Sequence, residues 1–317
     1  MTAEPAPSRA RAAAARLGRI GAWSFGLDGL GVAEAARVAR AVEELGFGSL
    51  WIAEGTASRE ALSHAAVLLS ATSRLVIATG IASIWARDPT AMAAGARTLA
   101  DAFPGRFILG MGVSHAGAAG RRGHEYAARP LGKMREYLDA MDSAPLSSPL
   151  PDPPVTRVLA ALRPRMLELA AQRTDGVHSY FVPVAHTRRA RTAIGAGPLL
   201  VPELAVVLDE RPDTARAVAR AYTSHYLARE NYRENLRWLG IAGEELQGGG
   251  SDGVVDALVA WGDQAAIQAR VLEHLEAGAD HVVLQPLGGA PGAEQAIGQF
   301  TRLATVLATP GNSRPRP

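Results

Sequence analysis

The chain has 317 residues, 48% of them hydrophobic, and it contains no cysteine. Its length accommodates one large α/β domain or two ordinary ones, and the missing cysteines exclude disulfides, thiolate nucleophiles, zinc–thiolate sites and iron–sulfur clusters. The formal net charge of +2 is too small to make nucleic acid the expected partner, and no run of about 18 uncharged apolar residues predicts a membrane span.

The two ends of the chain are predicted to be disordered tails. Residues 1–17 are rich in alanine and arginine but lack the apolar segment of a secretory signal, so we expect a cytoplasmic protein. Residues 310–317 are rich in proline and predict a second tail. Residues 18–309, which lie between the tails, are predicted to form a single domain.

One pattern recurs through this domain: an alanine-rich amphipathic helix, a glycine or acidic break, and a short apolar strand. Gly46 and Gly278 stand where a helix ends in a left-handed residue. The strands are near-continuous apolar runs, which is typical of a parallel sheet covered by helices. They are predicted at about 19–25, 48–53, 74–81, 106–112, 156–161, 175–181, 199–208 and 280–286.

Eight strand–helix units favour a (β/α)8 TIM barrel over an open doubly wound sheet. No G-x-G-x-x-G motif follows the first strand, which argues against a dinucleotide-binding Rossmann domain. Two irregular segments interrupt the pattern. Residues 143–154 form a proline-rich linker before the fifth strand, and residues 231–253 form an insertion between strands 7 and 8 that we expect to fold over one end of the barrel.

The C-terminal ends of the strands are where enzymes with this fold place their active sites. These ends contain no H-x-H or H-E-x-x-H pair, so no metal site is predicted. Lys133, the one lysine in the sequence, lies in a predicted helix, so the pattern does not support Schiff-base chemistry. Demanding chemistry would therefore need a bound organic cofactor.

Four segments carry a family resemblance: AVEELGFGSLWIAE, RLVIATGIASIWARDPTAMAAGARTLADAFPGRFILGMGVSH, RPLGKMREYLDAM and GADHVVLQPL. Together they resemble the luciferase-like monooxygenase superfamily, and more closely its actinobacterial branch of deazaflavin (coenzyme F420)-dependent oxidoreductases. The resemblance covers residues 18 to 308 and implies a bacterial-luciferase-like barrel with coenzyme F420 as cofactor. It also implies a homodimer, which the long apolar helices predicted at 31–45 and 58–72 favour.

Two segments are the specific parts of the resemblance: GRFILGMGVSH, and GI…WARDP at the end of the third strand. In this superfamily the third strand ends in a bulge, often at a non-prolyl cis peptide, that supports the tricyclic ring of the cofactor. Here that bond would be Gly80–Ile81, where a missing side chain lets backbone approach a flat ligand. Trp85 and Arg87 are then expected to line the pocket above it. Alternatively, Gly80 ends a strand and Trp85 packs on a neighbouring helix.

The phosphate end of the cofactor is expected after the sixth strand. Residues 183–187 begin a helix there, and free backbone N–H groups at a helix start attract phosphate. Arg189 and the basic loop 119–126 add charge, although both basic runs are equally compatible with solvated faces. The full set of expected cofactor-binding residues is Gly80, Ile81, Trp85, Gly112, Ser114, Tyr180, Thr187 and Arg188.

Two residues are expected to be catalytic. His115 stands where the deazaflavin-dependent sugar-phosphate dehydrogenases carry a catalytic glutamate, and a histidine there can give or take a proton near neutral pH. Glu54 stands where those dehydrogenases have an Asp-His pair, here replaced by Glu54-Gly55. This departure counts against a sugar-phosphate substrate, and it leaves Glu54 as either a partner of ring or substrate or a member of a structural salt bridge.

The function that the resemblance implies is hydride transfer between reduced deazaflavin and a small organic substrate, in a reductase or dehydrogenase. A luciferase-like monooxygenase that uses FMN on the same barrel is the second interpretation. The third is a non-catalytic protein that binds a flavin or a deazaflavin.

Overall fold

Eight parallel strands close into a ring at the centre of the computed structural model, which describes residues 6–126, 129–289 and 291–308. The last strand of the ring pairs with both the first and the seventh, which closes the barrel. This confirms the predicted (β/α)8 barrel, and each of the eight predicted strands coincides with a strand of the ring. In chain order the strands are β1 (Ile20–Ser24), β2 (Ser49–Ile52), β3 (Val76–Thr79), β4 (Ala82–Ser83), β5 (Phe107–Gly112), β6 (Thr156–Ala160), β7 (Gly176–Ser179), β8 (Leu199–Val207), β9 (Val259–Trp261) and β10 (Val282–Pro286), of which the short β4 and β9 lie outside the ring.

Helices surround the barrel and follow most of its strands. They are α1 (Ala6–Leu17), α2 (Val32–Glu44), α3 (Ala61–Ala71), α4 (Pro89–Ala102), α5 (Ala116–Arg121), α6 (Pro130–Asp142), α7 (Pro164–Arg173), α8 (Val184–Ile194), α9 (Pro212–Leu227), α10 (Glu230–Trp238), α11 (Asp252–Leu258), α12 (Gln264–Glu276) and α13 (Ala293–Leu303). Short 3₁₀ segments occur at Gly26–Gly29, Glu244–Gly249 and Ala304–Ala308. Within the three described ranges, no helix is long and apolar enough to cross a membrane.

Local sequence signals set the ends of several helices. The Asp88 carboxylate accepts the Ala91 N–H at 2.9 Å and thereby caps the start of α4. Two glycines follow α2 and α12 with left-handed backbones, Gly46 at φ 92° and Gly278 at φ 103°. These are the two glycines predicted to end helices, and the prediction is confirmed.

Apolar side chains fill two layers of the molecule. The larger layer lies between the strands and the surrounding helices, and the smaller one fills the inside of the barrel. Trp23 and Trp51 are completely buried in the inner layer, beside small residues such as Ala78. Because side chains fill this interior, a ligand can enter the barrel at its ends but cannot pass through it.

Helix α1 covers the N-terminal end of the barrel, which differs from the disordered tail predicted for residues 1–17. Ala10, Ala13 and Leu17 are buried against the inner layer, and Arg9 forms a 2.9 Å ion pair with Asp175 just before β7. Helix α1 therefore packs against the end of the barrel, which its alanine-rich composition did not indicate. Residues 1–5 and the tail predicted at 310–317 lie outside the described residues.

The segment between β8 and β10, which includes the predicted insertion at 231–253, covers the opposite end of the barrel. Its helices α9, α10 and α11 share an apolar cluster that includes Phe181, Tyr226, Tyr232 and Leu236. The short β9 extends this segment and pairs in parallel with β8. Residues of α9 and α10 lie at the C-terminal ends of the strands.

Candidate active site

A cavity of about 550 Å³ opens at the C-terminal end of the barrel. Its walls come from the segments that follow β1, β2, β3, β5, β6, β7 and β8. This is the end at which barrel enzymes bind their substrates. Six of the ten residues predicted for the site line the cavity: Glu54, Gly80, Ile81, Ser114, His115 and Tyr180.

The floor of the cavity contains the predicted bulge. The peptide bond between Gly80 and Ile81 is cis, as the resemblance implies. The Gly80 N–H donates to the Ile52 carbonyl at 2.6 Å, and the Thr79 hydroxyl donates to the Gly110 carbonyl at 2.7 Å. These bonds hold the end of β3 against both neighbouring strands, with Gly80 and Ile81 facing the cavity. A role of this segment in supporting a cofactor ring stays a prediction.

Two buried nitrogen atoms lie next to Gly80 without hydrogen-bond partners. They are Nε1 of Trp23 and Nε2 of His178. The other ring nitrogen of His178 lies 2.9 Å from the Val201 carbonyl, to which it donates, so Nε2 carries a lone pair. Burial lowers the pKa of His178 to about 4, which keeps the ring neutral at pH 7. The cavity floor therefore combines an indole donor and an imidazole acceptor.

Trp85 and Gly112 stand behind the cavity wall, contrary to the prediction that they contact the cofactor. The Trp85 indole N–H donates to the Val113 carbonyl at 2.7 Å, so its ring is used in packing. A Cβ atom on Gly112 would lie 2.9 Å from the Ile81 side chain. Gly112 thus makes room for Ile81, which does line the cavity.

Glu54 reaches the cavity with a carboxylate that is already bonded. Its oxygens accept the Ala61 N–H at 3.2 Å and the Ser83 N–H at 2.8 Å, and they pair with the Arg87 guanidinium. Arg87 pairs in addition with Glu60 at 2.5 Å, and it does not line the cavity. The geometry thus corresponds to the structural salt bridge that the sequence left as an alternative, and a catalytic role of Glu54 stays a prediction.

The predicted phosphate site at the start of α8 lies away from the cavity. Thr187 is completely buried, and its hydroxyl is bonded to Nδ1 of His274 at 2.9 Å. Arg188 is exposed on the outer face of α8. Neither residue lines the cavity, because the helix turns its first residues toward α12.

Three arginines line the cavity instead: Arg121, Arg163 and Arg229. Arg121 donates to the Thr56 hydroxyl at 3.0 Å, and Arg229 lies 2.9 Å from the His225 ring and stacks on Tyr226. Within the described ranges, none of the three forms an ion pair with a carboxylate. The cavity therefore carries positive charge that no carboxylate of the described residues neutralises through an ion pair.

Sequence reasoning missed Arg163, Arg229 and His178. Arg163 lies shortly after the end of β6, so its position at a strand end could have indicated that it belongs to the site. Arg229 lies between α9 and α10, just before the predicted insertion, and its place in the cavity depends on how these two helices fold over the barrel. His178 lies inside an apolar strand, where a histidine is more often a core residue than a ligand contact.

His115 lies directly before α5 and faces the cavity. Burial and the neighbouring positive charge of Arg229 lower its pKa to about 4, against a smaller opposite effect of a hydrogen bond with Asn231. The imidazole is therefore neutral at pH 7. In that state it can accept a proton, but it has no extra proton to donate.

The described residues of this cavity include no set of side chains that could bind a metal ion. Across residues 6–126, 129–289 and 291–308, no group of three His, Asp or Glu side chains could hold a metal ion. The sequence-based expectation of an organic ligand is consistent with the polar groups that line the cavity, which include hydroxyl, imidazole, guanidinium, amide and carboxylate groups.

Curated relatives match about half of this chain. A Mycobacterium tuberculosis protein named "Putative coenzyme F420-dependent oxidoreductase Rv3520c" is 32% identical over 163 residues, which are 51% of this chain and 44% of that protein. The chain spans less than half the length of the curated relatives it matches.

Solved structures share the fold over most of the chain. An F420-dependent secondary alcohol dehydrogenase, in complex with an F420-acetone adduct, superposes with a TM-score of 0.72 at 16% identity over 92% of this chain and 99% of that chain. A type II Baeyer-Villiger monooxygenase from Pseudomonas putida, in complex with FMN, has a TM-score of 0.65 at 16% identity over 93% and 98%. At 16% identity, these similarities show that the chain shares the fold of those structures. The family model described as luciferase-like monooxygenase matches residues 19–281, and the chain belongs to that family.

Proposed function

We propose that the chain is a coenzyme F420-dependent oxidoreductase that transfers hydride between reduced deazaflavin and a small organic substrate. The observation that carries this proposal is the set of cavity arginines, Arg121, Arg163 and Arg229, which lack carboxylate partners within the described residues. Guanidinium groups without internal counter-charges fit a ligand that brings several negative charges. Coenzyme F420 brings a phosphodiester and an acidic glutamate tail.

The aromatic walls of the cavity support the same proposal. Trp23, Tyr180, Tyr226 and Tyr232 surround it with flat side chains, which suit a tricyclic ring. When bound, a deazaflavin supplies a ring carbon that gives or takes hydride. It lacks the ring nitrogen needed for easy oxygen activation, so we propose a reductase or dehydrogenase rather than a monooxygenase.

An FMN-dependent monooxygenase is the second candidate, and the FMN-bound relative from Pseudomonas putida supports it. FMN carries a single phosphomonoester, which would engage fewer cavity arginines than the tail of coenzyme F420. The two cofactors therefore predict different dependences of affinity on salt and on the arginines. The third interpretation, a non-catalytic binding protein, predicts tight cofactor binding with no turnover.

Cofactor titration tests the proposal. Calorimetry and tryptophan fluorescence, which Trp23 in the cavity wall should report, are expected to show tighter binding of coenzyme F420 than of FMN, weakening as salt is added. Arg163→Gln should weaken F420 binding about tenfold, in line with the loss of one charge-assisted contact. The matched control is Arg188→Gln, on the outer face of α8, which should leave affinity unchanged. Tenfold tighter binding of FMN would favour the monooxygenase instead.

We also propose that the protein acts in the cytoplasm as a homodimer, with no membrane or nucleic acid partner. Helix α3 supports the dimer, because its apolar residues Leu62, Ala66 and Val67 are only half-buried in the single chain. Light scattering at micromolar concentration measures the oligomeric state directly, and a monomer would contradict the dimer.

A further inference from the structure

A chain of hydroxyl groups leads from the cavity to a buried carboxyl group. Tyr180 and Tyr226 line the cavity, and their hydroxyl oxygens lie 2.9 Å apart. The Tyr180 hydroxyl also donates to the Gln285 side-chain oxygen at 2.8 Å, and an interaction with the Tyr222 hydroxyl contributes to the pKa values of both tyrosines. The Tyr222 hydroxyl in turn lies 3.3 and 3.4 Å from the two carboxyl oxygens of Glu203 on β8. The rings of Tyr180 and Tyr222 both pack against that of Tyr226, at centroid distances of 5.1 and 4.9 Å, so these side chains place polar groups between the cavity and Glu203 within an otherwise apolar cluster.

Glu203 has an unusual environment for an acidic side chain. It is 1% exposed, and it accepts the Phe181 N–H at 3.2 Å and interacts with the Tyr222 hydroxyl. Within the described residues it forms no ion pair. The titratable groups that face it, from the end of β7 and from α9 and α10, are all tyrosines: Tyr180, Tyr222, Tyr226 and Tyr232. Burial without a cation raises the pKa of Glu203 to about 8, so the carboxyl group holds a proton at pH 7.

The tyrosines between Glu203 and the cavity also hold their protons. Burial raises the pKa of Tyr226 to about 12, and it raises the pKa values of Tyr180 and Tyr222 well above their ordinary range. None of the three can therefore serve as a phenolate at neutral pH. Each hydroxyl can release its proton only as it receives another, which is the behaviour of a relay.

Reduction of a substrate by hydride also requires a proton, and His115, which is neutral at pH 7, has no extra proton to donate. We propose that Glu203 is the proton store of the cavity and that Tyr222, Tyr180 and Tyr226 pass its proton to the substrate. This inference rests on the proposed hydride transfer. Tyr226 is the catalytic residue that contacts the substrate, whereas Tyr180, Tyr222 and Glu203 act through it.

The proton steps balance as follows. A bound reduced deazaflavin would supply hydride to the substrate carbon, and the adjacent substrate heteroatom would take the proton of the Tyr226 hydroxyl, so that one O–H bond breaks and a new bond to hydrogen forms. Tyr226 is reprotonated by Tyr180, Tyr180 by Tyr222, and Tyr222 by Glu203, which ends as a carboxylate. Both electrons travel with the hydride. A solvent proton restores Glu203 after the product leaves, and oxidation runs the same path in reverse.

Infrared spectroscopy of the protein without cofactor tests the store itself. At pH 7 we expect the carbonyl band of a protonated carboxylic acid, lost on titration through about pH 8 and absent from Glu203→Gln. Tyr222→Phe should shift this band, because it removes the hydroxyl that contacts the carboxyl group. Absence of the band at neutral pH, or a band that survives Glu203→Gln, would overturn the proposal.

Kinetics with reduced coenzyme F420 test the relay. Reduction by the wild type should slow as pH rises through about 8, since the store then loses its proton. Glu203→Gln and Tyr222→Phe should each lower turnover by about tenfold or more and abolish this inflection, with F420 affinity unchanged. Tyr137→Phe is the matched control: its buried hydroxyl donates to the Arg87 carbonyl away from the cavity, so the pH profile should stay that of the wild type.

The outcomes separate this inference from the proposed function. If F420 binds and is turned over but both variants keep the wild-type pH profile, the relay is wrong and the proposed function stands. If F420 does not bind while the infrared band behaves as expected, the deazaflavin reaction is wrong and Glu203 remains supported as a buried proton store.

Discussion

At Gly80, a Cβ atom would stand 2.8 Å from Nε1 of Trp23, 3.1 Å from Nε2 of His178 and 3.2 Å from the Trp51 ring. A side chain here would therefore collide with the rings that form the cavity floor. These neighbours are rigid rings in the inner layer, and they have little freedom to move aside. A substitution at Gly80 thus acts first on the stability of the fold.

We expect Gly80→Ala to lower the free energy of unfolding by about 1–3 kcal/mol, as overpacking does, and Gly80→Val to lower it further. Gly298→Ala is the control, because nothing lies within 4 Å of its Cβ position in α13, where alanine favours the helix. Urea unfolding of the three variants measures the difference. Equal stability of Gly80→Ala and the wild type would show that the neighbouring rings shift to make room for the added methyl group.

The sequence predicted which residues lie at the cavity better than it predicted what their side chains contact. The strand ends locate Glu54, Gly80 and His115 correctly at the cavity, because a barrel brings those ends together. Whether an arginine is free or paired depends on neighbours distant in sequence. Arg87 lies at a predicted strand end yet pairs with Glu54, whereas Arg229 lies between α9 and α10 and, among the described residues, has no carboxylate partner.

At the scale of elements, the eight barrel strands were predictable because buried parallel strands are continuous apolar runs. Helix α1 was not. Its alanines and arginines suit a solvated tail as well as a helix, and the surface that covers Ala13 and Leu17 exists only once the barrel has formed. The same limit applies to α8: its start was predicted, but the direction in which Thr187 points was not.

Helix α1 should contribute to stability through its buried face. Ala13→Glu is expected to lower the free energy of unfolding by several kcal/mol, about 2–5, because it places a carboxylate against the apolar barrel end without a partner. Ala12→Glu places the same charge on the exposed face of the helix and should change stability by less than about 0.5 kcal/mol. Thermal or urea unfolding compares the pair. Similar values for both variants would mean that α1 is not docked in solution.

At the scale of the whole molecule, buried titratable groups give the fold a definite pH range. Burial lowers the pKa values of His178 and His186 to about 4 and that of His274 to about 3. Each of these rings has one nitrogen without a hydrogen-bond partner, so the neutral form is the one that the fold accommodates. Glu203 is the opposite case, since it keeps its proton up to about pH 8.

These groups, together with His115, predict a stability maximum near pH 7. Between about pH 5 and 6 the unfolded chain binds protons at four histidines that the native state leaves neutral, while native Glu203 binds one that the unfolded chain has lost. The net difference is three protons, so stability should fall by roughly 4 kcal/mol per pH unit on acidification in this range. Above about pH 7 the Glu203 contribution outweighs the remaining protonation of the unfolded histidines, and stability should decline by less than about 1 kcal/mol per unit as the pH approaches 8. Urea midpoints measured across both ranges test the slopes, and Glu203→Gln should abolish the alkaline decline while leaving the four histidines to steepen the acid one. A flat profile in the wild type would mean that these side chains are hydrated in the native protein.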